Sequence, residues 1–437
     1  MKKVHFIGIG GIGISALARH YLALGWRVSG SDLLVSEITG ALKKLGARVF
    51  IKKTADLKSV APDLVVYSLA VKNSHPELKE ALRLGVKTMS YPQALGELVK
   101  TRETVAVAGA HGKSTTAAMI GLMLADAKLD PTVIVGTKLK EFNNSNFRCG
   151  KSKVLVVEAC EYGRAFLNYH PKIAVITNIE MDHMECYENE ADLLAAFEKF
   201  AGNLNEGGKL AVCADDANAK KLGVIMKKRG IDVVYYSQKM VEAEILRKIL
   251  RVPGEHNIAN ALAAFVVGRM LGVADDIIFK SLAKYRGSWR RFDRRPTSIA
   301  GKKITAVFDY GHHPTQIKLT MSAARQLWSK KKIICVFQPH QAWRTHLLFY
   351  DFVKAFQGSM LDKIFITDIY QVTGRENQAI AKKVSSQKLV AAIGCAKIEY
   401  VPTKEIFAKL KREIKGGEIL LVMGAGDIYD FFQPLLK

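Results

Sequence analysis

Val105-Ala106-Val107-Ala108-Gly109-Ala110-His111-Gly112-Lys113-Ser114-Thr115-Thr116 reads as a strand, a glycine turn and the opening of a helix. The apolar run 105–108 suits a buried strand, Gly109 and Gly112 a tight turn, and 117–125 an apolar helix. Elements in that order cradle phosphate. Glycines let backbone N–H groups approach the oxygens and the helix N-terminus favours anions. Lys113 neutralises charge on the terminal phosphates, and the Ser114 hydroxyl suits Mg²⁺. The usual phosphate loop has a further glycine where Val107 stands, so the match lies in Gly112-Lys113-Ser114-Thr115 and its place after a strand.

A second glycine turn lies near the N-terminus. A strand over 3–9 runs into Gly8-Ile9-Gly10-Gly11-Ile12-Gly13, a helix over 15–24 follows, and a strand over 27–30 ends at Ser31-Asp32. Gly8, Gly10 and Gly13 satisfy the dinucleotide fingerprint, and Asp32 is the acidic residue about twenty positions on. This pattern suits a dinucleotide or a nucleotide-sugar diphosphate. Two phosphate-type turns in successive units imply two nucleotides, one carrying substrate and one supplying energy.

Apolar runs alternating with helical segments continue to the C-terminus, so the expected fold is α/β with parallel sheets in three parts. The expected boundaries are 1–100, 101–291 and 292–437. In the second part Glu158 ends a strand over 154–158, and Asn178, Glu180, Asp182 and His183 follow a strand over 173–177. Ligands of open α/β sheets bind beyond the C-terminal strand ends, so Glu158 and His183 fall where Mg²⁺ beside a triphosphate would lie. Gly254-Glu255-His256-Asn257 opens a further apolar helix and offers N–H donors and amide edges. In the third part, Asp309-Tyr310-Gly311-His312-His313, Gln338-Pro339-His340 and Gly424-Ala425-Gly426-Asp427 all follow strand-like runs, with Arg344 nearby.

Composition narrows the class. The chain has 437 residues, 49% of them hydrophobic, enough for several cores. Its six cysteines form no CxxC pair and read as thiols of a reduced, cytoplasmic compartment. The net charge is +24, but Lys and Arg are spread along the chain without a basic tail. That distribution suits anionic small substrates and does not favour nucleic acid. The N-terminal apolar stretch imitates an export signal but is broken by glycines, and no uninterrupted apolar run approaches a membrane span.

Taken in order, these motifs and three others (Thr177-Asn178-Ile179-Glu180-Met181-Asp182-His183, Arg290-Arg291-Phe292 and Phe337-Gln338-Pro339-His340) resemble the Mur ligase family over essentially the whole chain. The first glycine fingerprint, His312-His313-Pro314 and Phe337-Gln338-Pro339-His340 point to its alanine-adding branch. The resemblance implies a Rossmann-like first domain for the UDP-sugar, a central ATP-binding domain and a Rossmann-like third domain that closes over both. It implies ATP-dependent joining of L-alanine to UDP-N-acetylmuramate through an acyl phosphate, in peptidoglycan precursor synthesis.

By resemblance, Gly109, Ala110, His111, Gly112, Lys113, Ser114 and Thr115 serve ATP, and Ser114, Glu158 and His183 serve Mg²⁺. His256, Asn257 and Asn260 lie near the nucleotide, while Arg290 or Arg291, with Asp309, links nucleotide binding to closure. His313, His340 and Arg344 face the amino acid or the reacting carboxylate, and Gly8, Gly10, Gly11, Gly13, Asp32 and Ser68 bind the UDP-sugar. A monomer or homodimer is expected, with no membrane partner.

The chain departs from the family pattern in four places. Glu158-Ala159-Cys160-Glu161-Tyr162-Gly163 replaces Glu-Ala-Asp-Glu-Ser-Asp, and Gln341, Ala342 and Trp343 precede Arg344 where an additional Arg is common. Tyr67-Ser68 replaces a Ser-Ser pair, and the segment 232–251 is short, as if a β-rich insertion were trimmed. These changes bear on the choice of amine and allow a second reading, a recycling ligase of the same family that adds a peptide or another amino acid. A nicotinamide oxidoreductase would explain residues 8–13 but not Gly112-Lys113-Ser114-Thr115. A non-catalytic nucleotide binder would not need Lys113, Glu158, His183 and Asp309 together.

Overall fold

Three sheets organise the chain in its computed structural model, which describes residues 1–182, 185–372 and 378–436. The first is wholly parallel, with Arg48–Ile51, Arg27–Asp32, Lys3–Ile7, Leu64–Tyr67 and Lys87–Ser90 side by side in that order. The second runs Asp232–Tyr236, Lys209–Cys213, Ile173–Ile176, Glu103–Ala108, Val154–Glu158, Thr132–Leu139 and Ser145–Arg148, and only its last pair is antiparallel. The third runs Asp293–Ile299, Lys302–Asp309, Ile419–Met423, Ile333–Phe337, Lys363–Ile366 and Ile398–Tyr400, with its first pair antiparallel. This is the three-domain α/β architecture expected.

By compactness the chain forms two units. One comprises Met1–Ile249 with Ala259–Lys284 and holds the first two sheets. The other comprises Leu250–Ile258 with Tyr285–Lys437 and holds the third. Central strands such as Val154–Glu158 and Ile173–Ile176 are almost wholly apolar because helices cover both faces of a parallel sheet. Among the described residues, no helix is long and apolar enough to cross a membrane.

Differences from the sequence expectations are local. The first strand stops at Ile7, because Gly8 takes a φ of +82° and turns the chain, and the helix starts at Ile12, inside the glycine motif. The segment 232–251 holds the strand Asp232–Tyr236 and the helix Val241–Ile249. Asp293–Ile299 is a strand that hydropathy did not announce. It reads Asp-Arg-Arg-Pro-Thr-Ser-Ile and lies at a sheet edge, where charge and proline are tolerated.

Candidate active site

The loop at 109–112 takes its shape from two glycines. Gly109 has a φ of +137°, and a Cβ there would lie 2.1 Å from Thr177 Oγ1. Gly112 has a φ of +84° and leads directly into the helix Lys113–Asp126. The loop is pinned from the end of the neighbouring strand Ile173–Ile176. Thr177 Oγ1 donates to the His111 carbonyl at 2.6 Å, and Asn178 Oδ1 accepts from His111 N–H at 2.8 Å. His111 Nε2 lies 2.8 Å from Glu180 Oε2. The first-turn N–H groups of this helix have no acceptor within it, and no side chain caps it at Gly112, which suits an anion.

Two carboxylates serve this loop. Glu158, at the end of its strand, accepts from Ser114 Oγ at 3.0 Å and through its other oxygen from Gly136 N–H. A hydroxyl beside a carboxylate is a hard-oxygen donor set, which suits Mg²⁺ better than a soft metal. Glu161, 2% exposed, pairs with Lys113, Nζ to Oε2 at 2.9 Å. Lys113 also donates to the carbonyls of Gly109 at 2.5 Å and Ala110 at 3.2 Å. Burial acts to lower the ammonium pKa, but Glu161, with help from Glu158, outweighs it and holds Lys113 above its ordinary value. Cys160 stands in the same segment as a buried thiol pushed up to about 12, by burial first and by Glu161 next.

Asn260 accepts from Thr116 Oγ1 at 3.2 Å and stands so close over Gly112 that a Cβ there would lie 2.3 Å from its Oδ1. Ser114 and Thr115 are buried in the first turn. His183 lies outside the described residues.

The first glycine loop is built on the neighbouring sheet. Asp32 Oδ2 accepts from Gly10 N–H at 2.8 Å and its Oδ1 from Leu34 N–H at 3.2 Å, so this carboxylate shapes the loop. Gly11 precedes the helix Ile12–Ala23. Gly13 makes room for Tyr91, whose hydroxyl would lie 2.9 Å from a Cβ there, and Gly8 leaves space for Ser68, 3.2 Å away. Ser68 Oγ accepts from Ala70 N–H.

In the second unit, Asp309 gathers three donors: Phe292 N–H at 2.9 Å, Gly311 N–H at 2.8 Å and Thr320 Oγ1 at 3.2 Å. Arg290 is buried, donates to the carbonyls of Gly424 at 2.6 Å and Gly426 at 3.2 Å, and lies over the rings of Trp289, Tyr310 and Tyr429. Arg291 covers Tyr310, 4.9 Å from its centroid. His313 caps the helix Pro314–Leu327, its Nδ1 accepting from Thr315 N–H at 3.4 Å. His340 stacks on Tyr370, and its Nδ1 accepts from Arg344 Nη1 at 3.1 Å, which leaves the ring proton on Nε2. Asn257 Nδ2 donates to the Pro253 carbonyl at 2.7 Å, and Gly254 gives space to the ring of His256. Asp309 thus joins the Arg290–Phe292 turn to the helix capped by His313, while His340 and Arg344 form a second, adjoining pair.

Sequence reasoning missed Glu161, Gly136, Tyr91 and Tyr370. Glu161 had a signal, an acid three residues past a strand-end carboxylate. The others had none, because their roles come from tertiary neighbours.

Known proteins resemble this chain over its whole length. Three family descriptions match in chain order: "Mur ligase family, catalytic domain" over residues 3–103, "Mur ligase middle domain" over 107–268, and "Mur ligase, glutamate ligase domain" over 290–426. The chain is 37% identical to the UDP-N-acetylmuramate–L-alanine ligase of Clostridium tetani over 100% of its own length and 98% of that protein. It is 38% identical to the enzyme of that name from Acetivibrio thermocellus, over 100% and 96%. Among solved structures, it is similar to the UDP-N-acetylmuramate–alanine ligase of Thermotoga maritima, with a TM-score of 0.80, 27% identity and coverage of 100% and 98%. A murein peptide ligase from Psychrobacter arcticus shares the fold, with a TM-score of 0.74 at 22% identity and coverage of 100% and 98%.

Proposed function

The chain belongs to the Mur ligase family, and on that premise we propose how its residues divide the work of one reaction. It is an ATP-dependent carboxylate–amine ligase that joins L-alanine to UDP-N-acetylmuramate in peptidoglycan precursor synthesis. The observation that carries this reading is full-length similarity to enzymes of that activity, together with a glycine loop that places the Lys113 ammonium and the bonded Ser114–Glu158 pair at one helix start, groups suited to phosphates and to Mg²⁺.

A carboxylate is a poor acylating agent. Transfer of the terminal phosphoryl group of ATP gives an acyl phosphate and ADP. The amine of L-alanine then attacks the acyl carbon, and the tetrahedral intermediate expels phosphate to leave the amide. Such transfer needs positioning and charge neutralisation more than covalent help. Lys113 and the first-turn N–H groups hold the phosphates. We assign Ser114 and Glu158 to hold Mg²⁺, with His183 joining them by resemblance. The ion supplies charge neutralisation on the phosphate oxygens.

We assign residues 1–100 to the UDP-sugar, through Gly8, Gly10, Gly11, Gly13, Asp32 and Ser68. Residues 101–291 are assigned to ATP, with Asn260 closing the phosphate loop and His256 and Asn257 serving the nucleotide. Residues 292–437 are assigned to the amino acid and to closure, with Asp309, together with Arg290 and Arg291 from the end of the central part, organising the closing edge. His313, His340 and Arg344 face the amine or carboxylate. Closure excludes water and protects the acyl phosphate from hydrolysis. The protein works in the cytoplasm as a monomer or homodimer, without nucleic acid.

Phosphate release from ATP, measured with UDP-N-acetylmuramate and each amino acid in turn, tests the reading. L-alanine is expected to stimulate release. Stimulation by a tripeptide alone would overturn the choice of amine, and release independent of any amine would overturn the ligase.

A further inference from the structure

One hairpin touches the supports of both nucleotide loops. Its strands are Thr132–Leu139 and Ser145–Arg148. On the first strand, Gly136 N–H donates to Glu158, whose other oxygen accepts from Ser114. On the second, the buried Asn146 aims its amide at the first turn of the helix Ile12–Ala23, where Nδ2 donates to the Ile12 carbonyl and to Ser15 Oγ, the latter at 3.0 Å. Ile12 and Ser15 bracket Gly13, the last glycine of the first loop.

Neighbouring contacts run the same way. The ring of Phe147 meets His20 edge-on, further along that helix, and Lys138 Nζ lies 2.6 Å from Glu37 Oε2.

The helix does not need Asn146 for its own integrity. The Ile12 carbonyl already accepts from within the helix, the Ser15 hydroxyl at 2.9 Å included, so Asn146 adds a donor to a group whose needs the helix meets by itself. A buried amide that adds a bond the helix does not require acts as a tether between helix and hairpin. The hairpin's other strand holds the carboxylate of the phosphate loop.

We propose that Asn146 is a positioning residue for ligation. It sets the sugar-nucleotide loop against Glu158, so that the carboxylate to be activated meets the phosphoryl group being transferred. This rests on the ligase reading above. Reacting groups must approach to about 3–3.5 Å, and a misplacement of about 1 Å costs on the order of a hundredfold in rate. A tether at this point therefore acts on the chemical step more than on the binding of either nucleotide.

The test uses the full chain. Asn146→Asp keeps the shape but loses both donors, and Asn146→Ala removes the arm. For each, kcat is measured alongside the Kd of ATP and of UDP-N-acetylmuramate bound singly. Hydroxylamine in place of L-alanine traps the acyl phosphate as a hydroxamate and reports activation alone.

The expected result is a fall in kcat and in hydroxamate formation of roughly ten- to a hundredfold, with both Kd values unchanged. Retained kcat overturns the proposal, and so does a loss traced wholly to weaker UDP-sugar binding. Should the Asn146 variants not fold, Ser15→Ala leaves Asn146 in place and removes one acceptor, along with the hydroxyl's own bond to the Ile12 carbonyl. It should lower kcat in the same sense, and a folded Ser15→Ala with wild-type kcat overturns the proposal. L-alanine-dependent turnover by the wild-type chain separates failure of the ligase reading from failure of this inference.

Discussion

Lys113 and Glu161 form an ion pair inside the phosphate loop, with the lysine side chain 14% exposed and the carboxylate 2%. Burial by itself lowers the Lys113 pKa, and the pair outweighs that effect while the ammonium lies beside the Gly109 and Ala110 carbonyls. Removing one partner of a fully enclosed pair costs about 3–5 kcal/mol. Here the lysine keeps two carbonyls, so Glu161→Gln should lower stability by about 1–2 kcal/mol and raise the KM for ATP. Urea denaturation and steady-state kinetics check both, and unchanged stability would show that the pair is solvated.

Lys113→Ala should abolish turnover while leaving UDP-N-acetylmuramate binding intact, because the glycine loop assigned to the sugar nucleotide stands on a different sheet. Calorimetry with the UDP-sugar alone decides this. Loss of that binding would refute the division of the two nucleotides between the first and second sheets.

Gly109→Ala should disable the phosphate loop more than it unfolds the protein. Its φ of +137° is rarely adopted by alanine, and the added Cβ would meet Thr177 Oγ1 at 2.1 Å, the hydroxyl that pins the His111 carbonyl. ATP binding should be lost, with a stability cost of roughly 1–3 kcal/mol. Wild-type ATP affinity in this variant would mean that the loop adopts another shape when it binds.

Ser114→Ala and Glu158→Gln should each raise the Mg²⁺ concentration needed for half-maximal activity by at least about tenfold, with UDP-sugar binding unaffected. A Mg²⁺ titration of turnover reads this directly. A normal Mg²⁺ dependence with merely reduced kcat would remove these residues from the metal set.

Acid should weaken the fold through His20. Burial, with Arg102 adding, lowers its pKa to about 4. The unfolded chain therefore takes up a proton, from about pH 6.5 downward, that the folded chain refuses until about pH 4. Stability from this group is complete above the unfolded value and is lost as pH falls through that window, at up to about 1.4 kcal/mol per pH unit. His20→Gln should flatten this part of the pH profile of urea unfolding, and an identical slope in wild type and variant would refute the assignment.

Both glycine loops were legible in the linear chain because their demands are local. Positive φ at Gly8, Gly109 and Gly112, a strand before and a helix after are all set within a dozen residues. The strand Asp293–Ile299 was not legible, because an edge position removes the apolar alternation that marks a strand. Asp32 and His313 were legible as important but not in their local roles. One shapes its own glycine loop and the other caps a helix, and residue type alone does not distinguish such roles from ligand contact.

Backbone chemistry encoded in the chain alone thus established the α/β class, the two phosphate-type turns and the strand ends where polar residues gather. Only packing decided the partners. Glu161 meets Lys113 across 48 positions, Glu158 meets Ser114 across 44, and Asn146 reaches Ser15 across 131. A turn follows from the torsional preferences of its own residues. A buried charge or amide is satisfied by whichever group the sheet order brings beside it, and that order is a property of the whole fold.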